Sequence, residues 1–124
     1  VSNHPATVAA CLSKKGYTGV LIQKNQEFGL NIVDESLKQS AFLCGTCSGR
    51  TENKPEKFGI ELIDPEDIST KLVKAHRAAM ECRLINAVDA SDHIIYIAEV
   101  VAVHCNSDKK HLYAVNGYGA LDTV

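Results

Sequence analysis

Cys44 and Cys47 form a Cys-x-x-Cys pair at the head of the stretch CGTCSGRTENKPEKF, which continues through Ser48-Gly49-Arg50 to Lys57-Phe58. Residues of these types at this spacing suit three chemistries: a zinc site, a redox dithiol, or a loop shaped around an anion. A structural zinc site needs about four ligands, usually a second Cys-x-x-Cys or a nearby His pair. Neither is present, and His76 has no partner at ligand spacing, so no metal site is expected. A dithiol would be activated by Arg50, but the carbonyl end of a helix works against a thiolate. The reading these residues favour is two ordinary thiols at the end of a helix.

A second segment, Lys14-Lys15-Gly16-Tyr17-Thr18-Gly19, combines two lysines, a backbone-freeing glycine and a threonine at the start of a helix. Together these make a pocket the size of a phosphate. Taken alone, the segment reads better as a solvated turn with a capping threonine, since many such caps bind nothing. The same holds for Ser48-Gly49-Arg50 with Lys54 and Lys57, which suits either an anion or a soluble loop. Two such segments in one small chain strengthen each other.

The elements that must position these residues follow from pattern. Thr7–Leu12 is an apolar run that predicts a strand buried on both faces. A short helix with Thr18 as its N-cap precedes a strand over Glu27–Val33. Leu37, Ser40, Ala41 and Cys44 recur at helical spacing, with Gly45 just past the helix end. Residues 46–57 are polar, broken by Gly49, Asn53 and Pro55, and predict a surface loop. Asp64-Pro65-Glu66-Asp67 carries the signals of a helix start, with Ile68, Leu72 and Ala75 as the buried stripe and His76 on the same helix. Residues 79–88 and 93–104 predict a long hairpin joined by Asp89-Ala90-Ser91-Asp92. Both faces of its second strand are mostly apolar: one suits a barrel interior, the other a helix or a second subunit. His111–Val115 adds a short strand. No internal repeat is visible.

A chain of 124 residues with 45% hydrophobic residues is expected to form one domain, residues 1–124. Its formal net charge of -2, with both signs interspersed, provides no field for nucleic acid or anionic lipid, so any anion site is local. No apolar run reaches the roughly 20 residues that span a bilayer, and no signal peptide is recognisable, which predicts a soluble, cytoplasmic protein. The five cysteines include Cys11, Cys82 and Cys105 inside apolar runs, as small buried hydrophobes in a reducing compartment would be. The chain opens on Val1, consistent with processing or with part of a longer product.

Several segments in order carry a family resemblance: Lys15-x-Tyr17-Thr18; Phe28-x-Leu30-Asn31-Ile32-Val33; Ser48-Gly49-Arg50 with Lys57-Phe58; Glu81-Cys82-Arg83-Leu84; and Asp92-His93-x-Ile95-x-Ile97-x-Glu99-Val100. From about Asn3 to Leu112 the chain resembles the flavin reductase-like family. The resemblance implies a mainly β fold with flanking helices, an antiparallel split β-barrel that binds FMN, and a homodimer with FMN near the subunit interface. It implies FMN contacts from Ser2, Asn3, Lys15, Tyr17, Thr18, Ser48, Arg50 and Lys57, and a catalytic position for His93 beside the isoalloxazine or nicotinamide. Without the resemblance, His93 reads as a strand-end histidine exposed at a turn.

The activity implied is hydride transfer from NADH or NADPH to flavin N5, with the reduced flavin released or passing electrons to a redox partner protein. A cation beside the flavin stabilises its anionic reduced form, and an imidazole positions the donor. Two other functions fit the residues: a non-catalytic FMN electron-transfer module that meets its partner at Cys44 and Cys47, and a flavin-free β-barrel with a binding or structural role. Family members usually carry a further N-terminal strand pair ending in a threonine- and serine-rich stretch. The expectation is therefore an N-terminally shortened barrel, a fragment or a weakly binding divergent member, with an end at Asp122-Thr123-Val124 that also comes early. The Cys44 and Cys47 positions lie outside the family pattern.

Overall fold

The computed structural model describes residues 1–117 and 119–123; Val124, in the C-terminal end named above, lies outside them. In chain order the elements are β1 (Ser2–Asn3), β2 (Ala6–Ser13), α1 (Tyr17–Asn25), β3 (Glu27–Val33), a 3₁₀ turn (Glu35–Leu37), α2 (Lys38–Cys44) and α3 (Lys54–Lys57). They continue with β4 (Leu62–Ile63), β5 (Leu72–Val73), β6 (His76–Ala90), β7 (His93–Cys105), β8 (Tyr113–Ala114) and β9 (Leu121–Asp122). Five strands form an antiparallel sheet in the order β1-β2-β7-β6-β3, and β4 with β5 and β8 with β9 make two small ribbons. The architecture is mainly β with flanking helices, as expected. Among the described residues no helix is long and apolar enough to cross a membrane.

The hairpin of β6 and β7 forms because alternate residues send a bulky apolar set to one face. Tyr96 and Ala98 of β7, Cys82 of β6 and Phe28 of β3 are buried together around Ile22 of α1. Each fully buried aliphatic or aromatic side chain of this kind stabilises the fold by about 1.5–3 kcal/mol. The connection is tighter than predicted: Asp89 and Ala90 pair with Ile94 and His93, leaving only Ser91 and Asp92 to turn, with Ser91 at φ 64°. Asp89 stays in the strand because its carboxylate accepts from the Lys14 ammonium at 2.5 Å.

β2 corrects one expectation. Val8, Ala10 and Leu12 pack on the core, but Ala9 and Cys11 are exposed, so only one face of the strand is covered within this chain. Of the three cysteines predicted to be buried, only Cys82 is. Burial raises its thiol pKa to about 11, which keeps it inert.

The largest correction concerns residues 64–75, which form no helix. The amides that would have opened one are taken by a carboxylate from the sheet. Glu81, fully buried on β6, accepts from the amides of Glu66 at 2.9 Å, Asp67 at 2.7 Å and Ile68 at 3.0 Å, and from His104 Nε2 at 2.6 Å. Glu27 of β3 accepts in the same way from the amides of Ser69 and Thr70 and from the Thr70 hydroxyl. Arg83, two residues beyond Glu81 on the same strand face, donates to the Asp67 carbonyl at 2.7 Å. Glu-Cys-Arg is thus a clamp: its first and third residues grip this segment while the cysteine packs in the core. Ile68 and Leu72 are buried, but Ile68 from a loop and Leu72 from β5, and His76 opens β6 with Nδ1 2.6 Å from the Val73 carbonyl oxygen.

The polar stretch after Cys47 is also more ordered than its breakers suggested. Asn53 caps α3 through its side chain, and Pro55 sits in the first turn, where a missing N–H costs nothing.

Gly19 records how closely α1 lies on the sheet. A Cβ at this position would sit 2.6 Å from the Tyr96 hydroxyl oxygen but 3.5 Å from Cζ. Gly19→Ala is therefore expected to destabilise the protein by about 1–2 kcal/mol in urea unfolding, the clash outweighing alanine's helix preference. Tyr96→Phe should restore most of the loss in the double variant; if it does not, the clash lies elsewhere.

Candidate functional site

α1 starts at Tyr17 with Gly16 as its N-cap, and no side chain caps it. This corrects the predicted cap: Thr18 lies inside the first turn. Its hydroxyl and the Lys15 ammonium make no side-chain hydrogen bond among the described residues, and the first turn holds no acidic residue. The helix therefore presents uncapped amides, a free hydroxyl and a cation to whatever approaches its start.

What approaches is the stretch 47–55. A cavity of about 450 Å³ is lined by Lys15, Thr18, Cys47 and Ser48, with Tyr17, Leu21, Gly49 and Lys54 forming the wall it shares with a second cavity. That second cavity, about 570 Å³, runs past Arg50, Glu52 and Pro55. Both volumes fall in the range of small-molecule sites. Arg50 fastens the two segments: its Nη1 donates to the Lys15 carbonyl at 3.1 Å, and its guanidinium lies 5.1 Å from the centre of the Tyr17 ring. The Ser48 hydroxyl accepts the Arg50 amide at 3.2 Å, which shapes the turn. Gly49 packs against Tyr17, where an added Cβ would come within 3.3 Å of the ring.

The fold thus brings Lys15, Tyr17, Thr18, Ser48 and Arg50 together at one site. His93 lies next to it: it pairs with Ser13 at the end of β2, its Nδ1 is 2.8 Å from Asp92 Oδ1, and the Lys14 amide donates to the Asp92 carbonyl at 2.9 Å. Lys57 stands apart, ion-paired with Glu52 at 3.2 Å and outside the lining of both cavities. Ser2 and Asn3 pair with Thr7 and Ala6 at the far end of β2, roughly 20 Å of strand from Ser13. Lys54 of the same stretch does reach the cavities. It lines both cavities and donates to the Cys44 carbonyl at 2.7 Å. The sequence signal for this was Asn53-Lys54-Pro55 read as a helix start rather than as breakers. Leu21 and Cys47 were not anticipated as lining residues.

The model of the family described as "Flavin reductase like domain" matches residues 1–122. The chain belongs to this family. Among curated relatives of this flavin reductase-like chain, an uncharacterized protein of Archaeoglobus fulgidus is 28% identical over 103 residues, covering 83% of the chain and 58% of the relative. The uncharacterized protein YddH of Escherichia coli is 32% identical over 93 residues, covering 74% of the chain and 49% of that protein. The chain thus spans about half the length of these relatives. Among solved structures, flavoredoxin of Desulfovibrio vulgaris (Miyazaki F) superposes with a TM-score of 0.87 at 20% identity, covering the whole chain and 73% of that structure. Flavoredoxin from Methanosarcina acetivorans gives 0.84 at 19% identity over the whole chain and 72% of that structure. The NADH:FAD oxidoreductase SgcE6 of Streptomyces globisporus C-1027 gives 0.80 at 14%, again over the whole chain and 72% of that structure. The fold is the antiparallel split barrel that the resemblance implied.

Proposed function

We propose that this chain is the FMN-binding domain of a flavin oxidoreductase that takes hydride from NADH or NADPH and passes electrons onward. The observation that carries the reading is the uncapped start of α1, which with Lys15 and Thr18 lines a cavity that Ser48 and Lys54 also line. This donor set fits a phosphate monoester: backbone amides at a helix N-terminus, one hydroxyl and two ammonium groups. Membership of the flavin reductase-like family and superposition on a flavoredoxin and an NADH:FAD oxidoreductase support flavin as the remainder of the ligand.

In this reading Lys15, Thr18 and the first amides of α1 hold the phosphate, assisted by Ser48 and Lys54. Tyr17 and Arg50 wall the adjoining cavity. The bound flavin supplies hydride acceptance from a reduced nicotinamide and its onward delivery as electrons. His93, oriented by Asp92, lines up the nicotinamide beside that site. The exposed apolar side chains Ile85, at 58% exposure, and Val88, at 40%, support a homodimer built on the hairpin. In that assembly Ser2, Asn3 and Lys57 are contacts for a flavin held near the interface.

The test is a fluorescence titration with FMN and riboflavin in parallel. FMN should bind more tightly, and Thr18→Val should weaken FMN roughly 5- to 20-fold, the loss of one hydrogen bond to a charged group, while leaving riboflavin within twofold. Equal losses for both ligands would remove the phosphate from this cavity.

A further inference from the structure

Cys44 and Cys47 are left unused by the proposed flavin site, although Cys47 lines one of its cavities. α2 ends at Cys44, and the chain continues in two tightened turns: the Gly45 amide donates to the Phe42 carbonyl at 3.1 Å and the Thr46 amide to the Leu43 carbonyl at 3.0 Å. Winding of this i to i-3 kind brings side chains three residues apart into line. A disulfide holds its Cβ atoms roughly 3.5–4.5 Å apart, so closure is a shift of Cys47, which lies just past this winding, toward Cys44. Gly45 carries no side chain to resist that shift. The Cys44 carbonyl, which a further turn would have used, accepts instead from Lys54 Nζ at 2.7 Å, so the winding stops just before Cys47.

The two thiols differ in access. Both are half-buried, but it is Cys47 that lines the phosphate cavity, beside Lys15 and Lys54. Burial pushes the Cys44 thiol up; the Lys54 charge pulls it down, and a charge on Cys47 raises it further.

We propose that Cys44 and Cys47 form a thiol–disulfide exchange couple in the wall of the phosphate cavity, oxidised by low-molecular-weight disulfides and linked to what that cavity holds. The Cys47 thiolate attacks one sulfur of the incoming disulfide and one small thiol leaves. Cys44, having lost its proton to solvent, then attacks the Cys47 sulfur and the second small thiol leaves. The protein gives up two electrons and two protons, and the small disulfide becomes two thiols. Closing the ring draws Cys47 toward α2 and reshapes the wall beside Thr18. Oxidation therefore changes the affinity of the cavity for its ligand, and the ligand changes the ease of oxidation by the same factor. The linkage half of this rests on the proposed FMN reading; the disulfide half does not.

The experiment equilibrates the protein in glutathione buffers of graded ratio, blocks free thiols, and maps peptides by mass. An internal 44–47 disulfide should form at ratios where the exposed Cys11 and Cys105 carry only mixed disulfides, and Cys44→Ser should trap glutathione on Cys47. FMN titration of the reduced and oxidised forms should give affinities at least threefold apart. Absence of the internal disulfide even in fully oxidised glutathione overturns the couple. A disulfide that leaves FMN affinity within twofold overturns the linkage. If neither form binds FMN while the disulfide appears by mass, the couple stands; the FMN reading, and the linkage with it, falls.

Discussion

Glu81→Ala is expected to cost the protein about 3–5 kcal/mol, seen as a lower urea midpoint and as rapid hydrogen exchange at the amides of Glu66, Asp67 and Ile68. The magnitude follows from what the carboxylate does. Fully buried, it accepts all three of those amides and His104 Nε2, so its removal leaves several donors without a partner in a region where water must be let in to replace it. The same contacts set its ionisation. Burial alone would raise the Glu81 pKa, but the amide and imidazole hydrogen bonds outweigh it and hold the value at about 2, against an ordinary 4.5. Between those values the unfolded chain binds a proton that the folded chain refuses. The contribution of Glu81 is therefore complete above about pH 4.5 and is lost as pH falls toward about 2. Stability of the native protein should fall steeply through that window, and the Glu81→Ala variant should show a shallower slope there. An unchanged slope would mean that other carboxylates govern the acid limb. Glu27, whose pKa is likewise lowered against the effect of burial by its bonds to Thr70 and Ser69, is the first to test in that event.

The Glu81 contacts also explain why residues 64–75 were misread while the neighbouring hairpin was not. Asp64-Pro65-Glu66-Asp67 satisfies every local rule for a helix start, and those rules describe amides in search of acceptors. Here the acceptors are Glu81 and Glu27, the latter about 40 residues away in sequence, and two sheet carboxylates hold residues 66–70 as a bent loop in place of a helix. The β6 and β7 strands were legible because their signal, alternation with β-branched and aromatic residues, is the property that buries Tyr96 and Ala98. Thr18 stands at the start of α1 as expected, but not as its cap. As a predicted cap its hydroxyl would have been spent on the helix; with Gly16 as cap it remains available to a ligand. The pairing of the 14–18 turn with the 47–55 stretch could not be read from spacing at all, since the fastening is one side chain, Arg50, that reaches Lys15 and Tyr17 across some 35 positions of sequence. Only the family resemblance joined them.

Arg50 is accordingly where the site should be most sensitive relative to the fold. Its guanidinium does two things at once: it donates to the Lys15 carbonyl and lies over the Tyr17 ring, both at the surface. An exposed hydrogen bond and a cation–π contact of this kind contribute on the order of 1–2 kcal/mol together to the arrangement they hold. Arg50→Ala should therefore leave the urea midpoint nearly unchanged, because none of the buried core depends on it, while letting the Ser48–Lys54 segment drift from α1. On the proposed reading FMN affinity then falls roughly 5- to 30-fold, and riboflavin affinity falls with it, because the wall shared by both cavities is lost rather than a phosphate contact. Arg50→Lys keeps the charge but neither the planar fork nor the stacking, and should recover only part of the loss. Full recovery by lysine would reduce Arg50 to a point charge near the ligand. Partial recovery by lysine, with the midpoint intact in both variants, is the outcome expected of a residue whose geometry assembles the cavity.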